Sequence, residues 1–209
     1  MTFVGFIASA DKIVALADGR VRYLDDSRPV NDAKKIYRLD DQTVALAHGE
    51  LTEGIASALE NVHKDVESNG LKGVEPISSY LATQLRGLKW KHTGTDVMAL
   101  LVVGYINGLP QFYRVFNATG LQPISVPFFT GGEMAAHTID RIDRELGTHN
   151  HLQITQATAE RILIDTLIEV ENTMPEAVGG QERMWHISPQ GIEVMNADYT
   201  RRLRSRSNS

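Results

Sequence analysis

Residues 2–20 read TFVGFIASADKIVALADGR, and the fold prediction starts from this stretch. Two short apolar runs, FVGFIAS and KIVALADGR, are separated only by Ala10-Asp11. Val, Ile and Phe favour extended strands, and so short a break between two such runs is typical of a hairpin. Residues 35–49, KIYRLDDQTVALAHG, repeat the pattern with DDQ as the turn. The first 49 residues are therefore predicted to form four strands.

Two amphipathic helices are predicted after these strands. Between Glu50 and Ser68, apolar residues recur at steps of three and four, which places them on one face of a helix. A second helix is predicted to begin near Pro76, because proline is well suited to the first helical turn. The two apolar stripes consist of Leu51, Ile55, Leu59, Val62 and Val66, and of Ile77, Leu81, Leu85 and Leu88.

Strands and then helices return in the second half of the chain. Residues 96–108, DVMALLVVGYING, are nearly all apolar, as in a strand buried on both faces, and end in a hairpin turn at Asn107-Gly108. QFYRVFN (111–117) and PISVPFF (123–129) are predicted as further strands. Two more helices are predicted over 135–146 and 159–170, and a hairpin of RMWHI and IEVM around SPQG follows.

Blocks of strands thus alternate with blocks of helices. Strict alternation of single strands and helices would indicate a parallel sheet. The block order instead predicts an α+β fold, a four-layer αββα sandwich of two stacked, mostly antiparallel sheets with a helix pair outside each. We expect one domain over residues 1–198. Residues 199–209 are predicted to be a basic, disordered tail, since the final RRLRSRSNS has a single strongly apolar residue.

The composition excludes several classes of protein. The chain of 209 residues has a formal net charge of -5, which does not favour nucleic acid as a partner. It has no cysteine, and no apolar run approaches the ~20 residues of a membrane span. We therefore expect a cytoplasmic protein without a membrane partner. The seven histidines are scattered without the spacing of a helical metal site, so neither a metal nor another cofactor is expected.

Thr2 directly follows the initiator methionine, which is normally removed before a small residue. Removal would leave Thr2 with a free α-amino group beside its own hydroxyl. A threonine hydroxyl is a poor nucleophile and needs a base. An α-amino group has a reference pKa of about 7.7–8.0, so it can act as that base near neutral pH. With Met1 retained, the same nitrogen is an amide and cannot accept a proton.

The element order and three motifs resemble the proteasome β-subunit and HslV-type peptidases of the N-terminal nucleophile hydrolase superfamily. The motifs are Thr2, the segment IVALADGR with Asp18 sixteen residues after Thr2, and the segment AKKIYRLDDQTVALAHGE. The resemblance implies that Thr2 is the nucleophile and that Lys35 is the catalytic lysine, with Lys34 as the neighbouring candidate. Asp18 would hold the lysine charged and oriented. The same resemblance implies the N-terminal nucleophile hydrolase fold.

The resemblance also points to an oxyanion hole and to two departures from the family pattern. The segment Ala47-His48-Gly49 matches the family's Ala-Gly-Gly, so the backbone N–H of Gly49 or of His48 would stabilise the oxyanion, and both remain open. Gly131 in TGGE stands where these enzymes usually have a serine. In EAVGG, Glu176 matches the family's aspartate and Gly179 its second serine. The supporting hydroxyl network is thus reduced.

The resemblance implies a threonine-type endopeptidase that works inside a homo-oligomeric ring, or inside stacked rings. Its substrate would be a peptide or an unfolded protein, and an ATP-dependent unfoldase is a candidate partner. Two alternatives remain open. One is a non-catalytic, ring-forming assembly protein of the same fold, which the absent serines suggest. The other is an amidase that uses the same nucleophile on a small molecule.

Overall fold

The computed structural model describes residues 2–22, 29–49, 53–88, 98–132, 134–147 and 154–207. Within them the chain has an α+β fold with two stacked, five-stranded antiparallel sheets. The strands are β1 Phe3–Ala8, β2 Ile13–Ala17, β3 Val21–Arg22, β4 Pro29–Val30, β5 Ile36–Arg38, β6 Thr43–Gly49, β7 Met98–Ile106, β8 Leu109–Phe116, β9 Gly120–Pro123, β10 Phe128–Gly132, β11 Arg183–Ser188 and β12 Gly191–Val194. The helices are α1 Glu53–Ser68, α2 Val74–Gly87, α3 Ala135–Leu146, α4 Gln156–Thr173 and α5 Ala197–Ser207.

The first sheet has the strand order β10-β1-β2-β11-β12, and the second has the order β5-β6-β7-β8-β9. The short strands β3 and β4, which are not among the four strands predicted for the first 49 residues, pair with each other and, within the described residues, with no further strand. Both predicted hairpins at the start of the chain are present, and β11 and β12 form the predicted hairpin at its end. Asn107 and Gly108 both have positive φ angles, as the two central residues of a type I′ hairpin turn require.

Three apolar clusters hold the two sheets and the helices together. Because neighbouring residues of a strand point to opposite faces, β1 sends Val4 and Phe6 between the sheets and Phe3 and Ile7 towards α3 and α4. Helices α1 and α2 cover the outer face of the second sheet in the same way. The central strands are therefore buried on both faces, which explains their nearly continuous apolar sequences.

The predicted helices agree with the structure where it describes them. Helix α2 begins at Val74, so Pro76 lies in its first turn as predicted. Helix α3 ends before Gly147, which serves as its C-cap. The first predicted helix is present as α1, although Glu50 and Leu51 lie outside the described residues. None of the helices in the described part of the chain combines the length and the apolar character needed to cross a bilayer.

The segment PISVPFF does not form one strand, contrary to the sequence prediction. Strand β9 ends at Pro123 in the second sheet, and β10 begins at Phe128 in the first sheet. Pro123 and Pro127 have no backbone N–H to donate, so neither can sit in the interior of a continuous ladder. The residues between these strands carry the chain from one sheet to the other.

Residues 199–207 are helical, whereas the sequence analysis predicts a disordered tail from residue 199. Helix α5 packs Tyr199 and Leu203 against the cluster formed by α3, α4 and the first sheet. Arg204 forms ion pairs with Glu171 and Glu182, and both carboxylates are largely buried. The basic segment is therefore ordered by carboxylate partners that its own composition does not reveal, because they lie more than twenty residues away in sequence.

Candidate active site

The carboxylate of Asp18 is the centre of the candidate site, and it accepts hydrogen bonds from five groups. Its Oδ1 atom accepts from the backbone N–H of Phe3 at 2.7 Å, from Oγ1 of Thr2 at 3.2 Å and from Nζ of Lys35 at 2.6 Å. Its Oδ2 atom accepts from the backbone N–H groups of Arg20 at 3.0 Å and Gly179 at 3.2 Å. Five donors that converge on one buried carboxylate satisfy its acceptor positions and fix its orientation.

Strand pairing brings Thr2 and Asp18 together. Strands β1 and β2 are antiparallel neighbours in which Val4 faces Ala17, so the start of β1 lies beside the end of β2. The Asp18 N–H donates to the carbonyl of Phe3 at 3.1 Å, which extends the ladder by one residue. The spacing of sixteen residues seen in the sequence is therefore the length of one hairpin.

Lys35 lies directly before β5, and its side chain is buried against Asp18. Its Nζ atom also donates to the carbonyl of Arg20. Burial lowers the pKa of Lys35 below its ordinary value, while the neighbouring charge and hydrogen bond of Asp18 oppose that shift. Lys34, the alternative candidate, is half-exposed, and its Nζ atom lies 3.9 Å from Oε1 of Glu60 in α1. The structure thus brings Lys35, and not Lys34, to Asp18.

Gly19 allows the chain to turn tightly after Asp18. A Cβ atom at this position would lie 2.5 Å from the carbonyl oxygen of Gln181 and 2.6 Å from that of Asn31. Contacts this short with backbone atoms cannot be relieved by moving a side chain, so glycine is required for packing rather than for an unusual φ angle. Segment 31–33 and residue Gln181 can consequently approach the turn that carries Asp18.

Arg20 is a site residue for which no role was predicted from the sequence. Its Nε atom donates to Oδ1 of Asn31 at 2.9 Å, and its guanidinium group donates to the carbonyls of Pro175 and Val178. These contacts fix the loop after α4, so that the N–H of Gly179 faces Asp18. The motif IVALADGR contained the signal, but the carbonyl partners are more than 150 residues away.

Gly131, Glu176 and Gly179, the three positions at which the sequence departs from the pattern it resembles, do not all lie at the candidate site. Gly179 is buried and contributes its backbone N–H to Asp18. The side chain of Glu176 is exposed and, within the described residues, makes neither a hydrogen bond nor an ion pair. Gly131 lies in β10, where it faces Val4 of β1 and contacts the ring of His48. Gly131 and Gly179 therefore lie at the site, and Glu176 lies away from it.

The direction of the backbone distinguishes the two candidates for the oxyanion hole. The N–H of Ala47 donates to the carbonyl of Lys35 at 2.8 Å, so it points towards β5. Along a strand, N–H groups two residues apart point to the same side, and those of adjacent residues point to opposite sides. The N–H of Gly49 consequently faces the side of Lys35, whereas the N–H of His48 faces β7.

A small cavity connects these groups. It has a volume of about 10 Å³ and is lined by Thr2, Val21, Lys35, Ala47, His48, Gly49 and Met98. This volume is roughly that of one water molecule. Thr2, Lys35, His48 and Gly49 thus line the same cavity. Thr2 itself is only 6% exposed.

Within the described part of the chain, no three His, Asp or Glu side chains converge in an arrangement that could hold a metal ion. His48, His63, His137 and His186 lie apart from one another on different elements, while His92, His149 and His151 lie outside the described residues.

No protein-family model matches the chain, and no curated protein sequence matches it either.

Proposed function

We propose that this chain is a proteasome-like N-terminal threonine peptidase, with Thr2 as the nucleophile after removal of Met1. One observation carries the proposal: Oγ1 of Thr2 and Nζ of Lys35 are both hydrogen-bonded to Oδ1 of Asp18 in a buried site. The hydroxyl therefore lies within two hydrogen-bond lengths of an ammonium group. Two stacked antiparallel sheets with helices on their outer faces are also compatible with a four-layer αββα sandwich of the N-terminal nucleophile hydrolase type.

The first half of the proposed reaction forms an ester. The free α-amino group of Thr2 removes the proton from Oγ1, which attacks the carbonyl carbon of the scissile peptide bond. Lys35 stabilises the developing alkoxide, and the N–H of Gly49 stabilises the tetrahedral oxyanion. The protonated amine then gives its proton to the leaving nitrogen, the C–N bond breaks, and the acyl group remains on Oγ1.

Water completes the reaction. The α-amino group, neutral again, accepts a proton from a water molecule that attacks the ester carbonyl. Collapse of the second tetrahedral intermediate breaks the bond to Oγ1, and the proton returns to that oxygen. Asp18 takes no part in these proton transfers, and its five donors keep the carboxylate in place beside Lys35.

The decisive experiment combines intact mass with covalent labelling. The mature protein is measured with and without a peptide vinyl sulfone, and the labelled residue is located by tandem mass spectrometry. We expect a chain without Met1 that carries one adduct on Thr2. Thr2→Ala abolishes the adduct, and Thr2→Ser, which retains a hydroxyl, keeps it. A chain that retains Met1 and is not labelled would overturn the proposal.

The size of the cavity favours a second candidate, a non-catalytic assembly protein of the same fold. A space of about 10 Å³ does not admit a peptide without rearrangement. On this reading, the buried Asp18–Lys35 pair serves only stability, and Thr2→Ala changes neither assembly nor any measurable activity. An amidase with a small substrate would in turn hydrolyse short amides but not fluorogenic peptides, so a screen of both substrate classes separates it from a peptidase.

We further propose that the chain assembles into a homo-oligomeric ring, single or stacked, that takes peptides or proteins unfolded by an ATP-dependent partner. A ring would restrict access to a site that is already narrow in one chain. Native mass spectrometry of the purified protein tests this directly. A purely monomeric protein at micromolar concentration would contradict the ring, while the labelling experiment decides the chemistry independently.

A further inference from the structure

The side chain of His48 points into the space between the two sheets. Along β6, Val44 and Leu46 belong to the cluster between the sheets, while Ala45 and Ala47 belong to the cluster under α1 and α2. Because side chains alternate along a strand, His48 continues the row of Val44 and Leu46. It extends that apolar row with a polar ring at the end of the sheets where Thr2 lies.

Gly131 of the opposite sheet makes room for this ring. A Cβ atom at Gly131 would lie 2.6 Å from Nε2 and 2.7 Å from Cγ of His48, and still closer to Cδ2. The φ angle of Gly131 is not in the left-handed region, so its backbone would tolerate alanine. What excludes a larger residue at 131 is therefore the imidazole. The histidine and the glycine form a matched pair across the two sheets.

The Nε2 atom of His48 is buried and, among the residues that the structure describes, has no hydrogen-bond partner. Buried polar atoms are nearly always paired, so an exception calls for an explanation. Burial, together with the nearby charge of Arg114, lowers the pKa of His48 from 6.5 to about 4. At neutral pH the ring is thus uncharged, with one nitrogen that donates a hydrogen bond and one that accepts.

We propose that the imidazole of His48 is a substrate-binding residue of the Thr2 site, where its unpaired Nε2 hydrogen-bonds a neutral amide group of the bound peptide. The inference rests on the proposed function, because it needs a peptide that reaches Thr2 and His48 after the small cavity they both line has widened to admit it. A peptide amide offers an N–H and a carbonyl, so either tautomer of a neutral imidazole finds a partner. Gly131 is needed for this arrangement, because the absence of a side chain at residue 131 leaves room for the imidazole.

Two substitutions at His48 separate hydrogen bonding from packing. His48→Leu keeps a side chain of similar bulk but has no polar atom, whereas His48→Gln places an amide near the position of Nε2. We expect His48→Leu to lower kcat/KM for a fluorogenic peptide by about tenfold, as loss of one hydrogen bond does, mainly through KM. His48→Gln should recover most of that loss. A purely structural histidine would change the melting temperature and leave KM unaltered.

A second pair of variants tests the fit of Gly131 by melting temperature and by the rate of Thr2 labelling, without an assay of turnover. Gly131→Ala should lower the melting temperature and slow labelling of Thr2, and the double variant His48→Ala/Gly131→Ala should be more stable than Gly131→Ala alone. Gly87→Ala is the matched control, because a Cβ at Gly87 has no neighbour within 4 Å. The single variant His48→Ala completes the double-mutant cycle, and additive effects of the two changes would show that the pair is not coupled and would overturn this half of the inference.

The outcomes distinguish the inference from the function on which it rests. If the wild-type protein is not labelled at Thr2, both are removed. If the wild type is labelled and His48→Leu retains its KM and labelling rate, the peptidase stands and the role of His48 is wrong. If His48→Leu raises KM and His48→Gln restores it, both stand.

Discussion

The Nζ atom of Lys35 lies 2.6 Å from Oδ1 of Asp18, and the exposed fractions of the two side chains are 1% and 0%. A charge pair withdrawn from water to this extent loses most of its hydration. Asp18 compensates with four further hydrogen bonds, and Lys35 with a carbonyl of Arg20. The pair therefore anchors the start of β1, the end of β2 and the loop after α4 to one point.

Asp18→Asn is expected to destabilise the fold strongly, because it leaves the buried ammonium of Lys35 without its counter-charge. Breaking a buried pair in this way typically costs about 3–5 kcal/mol. The free energy of unfolding, measured in urea at pH 7, should fall by that amount. Asp41→Asn is the control, since the Asp41 side chain is 89% exposed and should change stability by less than about 0.5 kcal/mol.

The loss in Asp18→Asn should shrink as the pH rises. Burial already lowers the pKa of Lys35, so the folded protein releases this proton more readily than the unfolded chain does. Where the unfolded state binds more protons, stability increases with pH. Without Asp18, the charge that opposes the shift is gone, and we expect the variant to recover stability as pH is raised towards 10. A pH-independent loss would show that Lys35 is not the cause.

Lys35→Met is expected to slow labelling of Thr2 strongly, while Lys34→Met has little effect. Lys35 stands beside the nucleophile, whereas Lys34 is half-exposed and near Glu60. Loss of a group that stabilises developing charge costs ~100- to 1000-fold in rate. The rate of inactivation by a peptide vinyl sulfone measures this for both variants, with circular dichroism as the check on folding. Equal rates for the two lysine variants would refute the assignment.

Arg204→Ala should loosen α5. Arg204 pairs with both Glu171 and Glu182 and is 33% exposed, and its pKa is raised mainly by the hydrogen bond to Glu171. We expect a loss of about 1–2 kcal/mol and faster hydrogen exchange across residues 197–207. Arg201→Ala on the same helix is the control, because Arg201 is 72% exposed and pairs only at the surface with Asp198. Similar exchange in both variants would contradict an anchoring role for Arg204.

Stability should decrease between pH 6.5 and pH 4 because of His48. The unfolded chain binds a proton at His48 below about pH 6.5, whereas the folded chain does so only near pH 4. The folded state thus loses stability as pH falls, by about 2 kcal/mol at pH 5 for this group. Comparing urea unfolding at pH 7 and pH 5 isolates the effect, since His48→Leu should lack this part of the decrease. An identical decrease in His48→Leu would show that His48 is not the source of the pH dependence.

Local sequence patterns predicted most of the elements. The hairpins of the first 49 residues, the Asn107-Gly108 turn and the helices with regular apolar stripes follow from short-range chemistry, and the structure contains them. The spacing between Thr2 and Asp18 also follows from one hairpin, so a pairing of these two residues could be anticipated. The division of PISVPFF between two strands could not be anticipated in this way. Its two prolines indicate a bend, but they do not indicate which sheet each end joins.

Only the tertiary structure decided which residues share the site and that residues 197–207 form a packed helix. The choice of Lys35 over Lys34 depends on which of the two neighbouring side chains is buried against Asp18 after folding. The contact of His48 with Gly131 depends on the stacking of two sheets whose strands are distant in sequence. Helix α5 is held in place by ion pairs of Arg204 with Glu171 of α4 and with Glu182 in the loop before β11. Burial and charge pairing act between segments that meet only after folding, so no local pattern contains them.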